Sequence, residues 1–228
     1  MSKTEQPNVT LPEAIRRSAI GLAIFAFFTA GIIAVTQTLT RDTITQNEAA
    51  FEARQLLSIL PSDYTADDIL AGETRFDAQA LVGLDRLNLS SDTQHFYRVL
   101  TADGQTEAVI LPVVAPQGYT EAIRLIVGIK ANGQILGVRV TRHKETPGLG
   151  DQVETSKSDW IYVFNDRSLM NPQPDDWAVV KDGGAFDQLT GATITPRAIV
   201  GAVKNSLLFF EDNQDALLNE PDSVEDGS

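Results

Sequence analysis

Three threonines crowd around one Gly-Ala pair in DQLTGATITPRAIV, residues 187–200. Thr190, Thr193 and Thr195 lead into an apolar stripe of Ile199, Val203, Leu207 and Phe210 at helical spacing, so the hydroxyls fall at a helix start. A helix N-terminus presents unpaired amides and the positive end of the helix dipole, which together favour an anion. Gly191 and Ala192 keep side-chain bulk away from that approach. Thr195 reads as the cap and Pro196 as the first helical residue of a helix over 196–210. Capping accounts for neither Thr190 nor Thr193.

A second stretch able to carry chemistry is RHKETPGLGD, residues 142–151. Gly148 and Gly150 let backbone approach a ligand or take positive φ, and Pro147 stiffens the turn. The same residues also make an ordinary strand-to-helix bend. His143, at the strand end, is as readily structural as functional. His95 is the other histidine and there is no cysteine, so disulfides, thiolate metal sites and cysteine nucleophiles are excluded. No metal-ligand set and no acid–base pair emerge. Redox or group-transfer chemistry would have to come from a cofactor held by hydroxyls, carboxylates and backbone.

The elements that must position these stretches follow from patterning. FYRVL, EAVILPVV, AIRLIVGI and QILGVRVTR are β-rich runs between residues 96 and 142. Asp103-Gly104 and Asn132-Gly133 punctuate two hairpins. The spacing predicts an α+β fold: a central antiparallel-rich sheet packed by helices over 196–210 and, more weakly patterned, 152–158. Residues 43–60, with Ile44, Phe51, Leu56, Ile59 and Leu60 and closed by Pro61, read as a helical stalk. The polar stretch that follows, to about residue 91, has no clear pattern.

Residues 18–40, SAIGLAIFAFFTAGIIAVTQTLT, hold no charge. A bilayer core of roughly 30 Å takes about 20 such residues as a helix, so the segment is expected to span as an uncleaved anchor. Arg16 and Arg17 place the N-terminal flank, residues 1–17, on the cytoplasmic side. The chain carries 18 Lys plus Arg against 31 Asp plus Glu, net −13, and no basic stripe follows Arg17, which argues against a nucleic-acid partner. Residues 211–228 are acidic without a basic residue and read as a disordered tail.

DQLTGAT, Asp187 to Thr193, resembles the Asp-x-x-Ser/Thr-Gly-Ala-Thr signature of the FMN-binding domain family, whose members carry FMN through its phosphate on the final threonine. ETPGLG, Glu145 to Gly150, resembles the companion motif. Both motifs behind one anchor are similar to the G subunits of Rnf-type ion-translocating electron-transport complexes, relatives of the C subunit of sodium-translocating NADH:quinone reductases. The resemblance implies an FMN-binding domain over 96–210 preceded by a stalk and variable region over 41–95. It implies covalent FMN at Thr193, attached by a flavin transferase. It also implies a cofactor pocket shaped by Asp187, Thr190, Gly191 and Ala192, with Glu145, Thr146, Gly148 and Leu149 against the flavin and His143 nearby. The expected role is that of a redox subunit, in a bacterial inner membrane, partnered by the other subunits of the complex. The competing expectations are the C-type subunit of a sodium-translocating NADH:quinone reductase, which shares both motifs, and a cofactor-free anchored binding or assembly domain in which both motifs are only turns and caps.

Overall fold

The computed structural model describes residues 11–60, 64–91, 93 and 95–219. Two compact units divide it, residues 1–50 and 51–228. The first belongs to α1 (Leu11–Ile59), whose segment Ile15–Arg41 has a mean hydropathy of 2.3 and is long and apolar enough to cross a membrane. Phe25, Phe27, Phe28, Ile32 and Ile33 are all exposed, so the segment presents a continuous apolar surface. Of the expected stalk contacts, Ile44 and Phe51 have side chains outside the described residues, as does Pro61.

The second unit is built on a five-stranded antiparallel meander, β1 (Glu73–Arg75), β2 (His95–Leu100), β3 (Thr106–Ala115), β4 (Ile123–Lys130) and β5 (Ile135–Arg142), paired in chain order. The two hairpin turns expected from Asp-Gly and Asn-Gly join β2 to β3 and β4 to β5. The three-residue β1 lies in the stretch that showed no pattern, too short for alternation to register.

Alternation along the strands gives the sheet two apolar faces. Val109, Leu111 and Val113 pair with Ile129, Val127 and Leu125 and face α3 (Ile194–Asp212), which contributes Ile199, Val203 and Leu207. On the opposite face Ala108, Ile110 and Ile126 meet Leu56, Ile59 and Leu60 at the end of α1 and Ile69 of α2 (Ala66–Ala71). Gly128 and Gly137 are cross-strand partners under Ile59; a Cβ on Gly128 would lie 2.7 Å from Ile59 Cγ2. Arg139 closes the end of α1, donating from Nη2 to the Ser58 carbonyl at 2.8 Å and from Nε to Ser58 Oγ at 2.9 Å.

Two expectations about helices are corrected. The segment 152–158 is not an α-helix: a single 3-10 turn, Gly150–Val153, stands there, one of several in residues 150–182. Those turns are held instead by aromatic packing, Phe164 meeting Trp160 edge-on at 5.6 Å and Phe186 at 5.1 Å. The acidic tail is not disordered throughout, because α4 (Gln214–Leu218) folds back with Leu217 fully buried. Residues 220–228 lie outside the described residues.

Candidate functional site

α3 begins two residues earlier than its spacing predicted. Ile194 is its first residue and Thr193 its N-cap, the Thr193 carbonyl accepting the first helical bond from Arg197 N–H. Thr195 is therefore not the cap and Pro196 not the first helical residue. Thr195 lies inside the first turn and is buried, its hydroxyl donating to Glu145 Oε2. Thr193 makes no side-chain capping bond.

The chain enters α3 through a tight turn in which Ala192 N–H donates to the Leu189 carbonyl at 3.1 Å. Gly191 sits third in that turn with φ 80°, the left-handed conformation a type II turn requires there. A Cβ at Gly191 would also come within 2.8 Å of Leu149 Cδ2, so glycine lets the two motifs touch. The turn is steadied from behind by Trp160, whose indole N–H donates to the Asp187 carbonyl at 2.8 Å.

Glu145 is the buried junction between the motifs, only 5% exposed. Its Oε1 accepts the Thr120 N–H at 3.2 Å from the β3–β4 connection, and its Oε2 accepts Thr195 of α3. Its own N–H donates to His143 Nδ1 at 3.1 Å, while His143 Nε2 lies 2.7 Å from Glu154 Oε1. His143 thus orients the Glu145 backbone from behind, with Nε2 as the N–H that Glu154 accepts. A Cβ at Gly150 would sit 2.8 Å from Glu145 Oε2 and 3.0 Å from Thr195 Oγ1. Gly150→Ala should therefore part the Glu145–Thr195 pair, costing about 1–3 kcal/mol in denaturant unfolding. Gly148→Ala, at φ 78° with nothing within 4 Å, should cost only backbone strain, roughly 1–2 kcal/mol. Equal loss of the Thr195 hydroxyl bond in both variants, read by NMR, would contradict this.

These groups border a cavity of about 480 Å³ lined by Tyr119, Glu145, Thr146, Leu149, Gly191, Ala192, Thr193, Ile194 and Thr195, with Gly150. The volume is in the range of ligand pockets. Tyr119, Leu149 and Ile194 are exposed at its apolar mouth, whereas Glu145 and Thr195 form a polar floor beside the start of α3. An amphipathic ring system carrying an anion fits that division: apolar rim for the ring, Thr193 hydroxyl and helix amides for the anion.

Of the residues singled out from sequence, Glu145, Thr146, Leu149, Gly191, Ala192 and Thr193 share this cavity. Asp187, Thr190, Gly148 and His143 do not line it. Asp187 and His143 support it from behind, by the bonds described above. Tyr119, Ile194 and Thr195 line it without having been expected to, whereas Gly150 lines it as one of the two glycines read as letting backbone approach a ligand. Tyr119 gave no signal because it stands in a turn between strands, and only the sheet's closure brings it to the motifs. No cluster of metal-ligating side chains occurs among the described residues.

Arg197, one residue into the second turn, grips Asp182 in a two-point pair, Nε to Oδ2 at 2.5 Å and Nη2 to Oδ1 at 2.7 Å. The Arg197 hydrogen bond holds the Asp182 carboxyl below its ordinary range and raises the guanidinium in turn. A carboxyl depressed in the folded state stabilises it above the unfolded value and loses that contribution as pH falls through the folded one. Arg197→Gln should return Asp182 to ordinary carboxylate titration by NMR; an unchanged titration would show that the pair does not form in solution.

Comparison with known proteins bears on the whole chain. Residues 118–208 match the FMN-binding domain family and residues 1–59 match the RnfG N-terminal region. The G subunit of the ion-translocating oxidoreductase complex of Vibrio cholerae is 43% identical over 93% of this chain and 98% of its own length. Its counterpart from Pseudomonas aeruginosa is 43% identical over 89% of this chain and 91% of its own. Shewanella oneidensis NqrC aligns at a TM-score of 0.45 and 21% identity, over 63% of this chain and 71% of that one, too slight a likeness to argue from. By sequence along nearly its full length, the chain belongs to the family of G subunits of ion-translocating oxidoreductase complexes.

Proposed function

We propose that this chain is the flavin-bearing electron-transfer subunit of a membrane complex that couples electron transfer to ion translocation, with FMN bonded through its phosphate to Thr193 Oγ. The observation that carries the attachment is the state of Thr193: a half-buried hydroxyl on the cavity wall, at a helix N-cap, engaged in no capping bond. A phosphodiester keeps one negative charge, and the amides and dipole at the start of α3 favour it there without a metal ion.

Bound flavin would supply exchange of one or two electrons. The chain's residues bind, orient and shield. Leu149 and Tyr119, at the apolar mouth, would cover ring surface, Gly191 would leave room at the phosphate, and Thr146 would offer a hydroxyl at the cavity edge.

The anchor would place Arg16 and Arg17 on the cytoplasmic side of a bacterial inner membrane and the residues after Arg41 on the periplasmic side. A covalent tether suits that side, where a dissociated cofactor is lost. A single anchor forms no ion path, so translocation falls to the partner subunits. A flavin transferase is the maturation partner. Peptide mass spectrometry after co-expression with such a transferase tests the reading. The peptide holding Thr193 should gain the mass of FMN less one water; an unmodified Thr193 peptide overturns the attachment.

A further inference from the structure

Tyr119 is the one aromatic side chain on the cavity wall among the described residues, and it is left 67% exposed. Its side chain meets no hydrogen-bond partner and no other ring among those residues. A ring so open contributes little to the fold. The backbone beneath it is nonetheless closely fixed. At Gly118 the Glu121 carbonyl oxygen fills the place of a side chain: a Cβ would lie 2.0 Å from it and 2.9 Å from Ile123 Cγ1. Thr120 N–H donates to Glu145 Oε1 at 3.2 Å, and Lys144 Nζ donates to Glu121 Oε2 at 2.9 Å. Two bonds thus run in parallel from the β3–β4 connection to the segment carrying the second motif, one of them ending on the buried Glu145. Ordering a turn in this way has a conformational cost that no burial of Tyr119 offsets. We propose that residues 118–121 form a strap that holds Tyr119 as a fixed aromatic wall of the cavity, set against the isoalloxazine ring; that occupant rests on the attachment reading above. Gly118 and Glu145 are positioning residues in this respect, acting through Tyr119.

The chemistry of the tether shows why a fixed wall matters. A flexible ribityl chain separates the phosphate of FMN from its ring, so an ester at Thr193 holds the cofactor without orienting the part that carries electrons. Leu149 and Ile194, the other exposed apolar side chains at the mouth, stand on the second motif and on α3. The strap adds a third element of the fold, and an aromatic face favours offset or edge-on contact with another ring. Tyrosine also makes the contact measurable. Its phenol is oxidisable, so at contact distance it passes one electron to a photoexcited flavin; the electron then returns with no net reaction, and the flavin's emission is lost.

Full-length chains loaded by a flavin transferase test the wall. The folded natural chain should emit several-fold less than the same chain in denaturant, where the ring is free. Tyr119→Leu should restore most of that emission and lower its anisotropy. Tyr119→Phe should restore emission yet keep the anisotropy, because phenylalanine retains the ring but resists oxidation. Both should hold Tm within about 2 °C of the natural chain, as befits an exposed side chain without bonds. Unchanged emission in Tyr119→Leu overturns the wall. Hydrogen exchange on the flavin-free chain reads the strap by itself. The Thr120 amide should be protected in the natural chain and in Tyr119→Leu, and should lose about tenfold of that protection in Gly118→Ala, the worth of one hydrogen bond. Free exchange at Thr120 in the natural chain, or undiminished protection in Gly118→Ala, overturns the strap. A natural chain that takes no flavin refutes the attachment reading and the wall with it, while exchange at Thr120 still decides the strap.

Discussion

Thr193→Val is expected to abolish covalent flavin completely, although valine preserves the β-branched shape and the helix start. After co-expression with a flavin transferase, the natural chain should give a flavin-fluorescent band in a denaturing gel and Thr193→Val a dark one. Thr193→Ser keeps a hydroxyl at the same place on the cavity wall and should retain part of the label. Thr190→Val and Thr195→Val separate the three hydroxyls further. Thr190 is exposed and off the cavity, so its loss should leave a labelled product. Thr195 holds the helix start through Glu145, so its loss should slow labelling without eliminating it. A fluorescent Thr193→Val band would move the ester to another residue. The stability of Thr193→Val should stay within about 0.5 kcal/mol of the natural chain, because no hydrogen bond of that side chain is lost. A dark band therefore cannot be ascribed to unfolding.

The sheet was legible where local chemistry decides it. Gly104 and Gly133, at φ 81° and 82°, close the two hairpins that Asp-Gly and Asn-Gly announce. The strand faces followed from alternation, and α3 from its stripe. The cap was misread because its place depends on where backbone enters the helix, and the buried Thr195–Glu145 bond, between residues 50 apart in the chain, rewards an earlier entry. Local rules favour Thr195 followed by Pro196; a tertiary contact overrides them. Tyr119 reaches the cavity by the same kind of long-range closure. In the tail, acidic composition concealed Leu217, which joins the core cluster that α3 forms with the sheet. Irregular segments such as 150–182 depend on aromatic pairs, Phe164 with Phe186 above all, that carry no periodicity to detect.

Arg98→Met is expected to destabilise the folded unit by about 3–5 kcal/mol and to release α4. Arg98 stands on β2 with only 5% exposure. The last turn of α4 contains no basic residue, so its terminal carbonyls lack a partner from their own helix. Arg98 supplies one from the sheet: Nε donates to the Leu217 carbonyl at 2.8 Å, and Nη2 to the Ala216 and Asn219 carbonyls at 3.1 and 2.6 Å. Its guanidinium also lies 5.4 Å from the Phe96 ring centroid. Methionine keeps the stem and fills the space but donates nothing, leaving carbonyls in a water-poor place without the charged donors that face them, worth about 1.5–3 kcal/mol for each such bond. Arg98→Lys, with a point charge in place of the planar fork, should recover only part of the loss. Denaturant unfolding of the full-length chain measures the energy, and hydrogen exchange at residues 214–219 reports the release. A cost below about 1 kcal/mol, with α4 amides still protected, would mean that burial of Leu217 alone holds the helix. The fold would then owe the order of its C-terminal segment to the hydrophobic core rather than to the arginine that caps it.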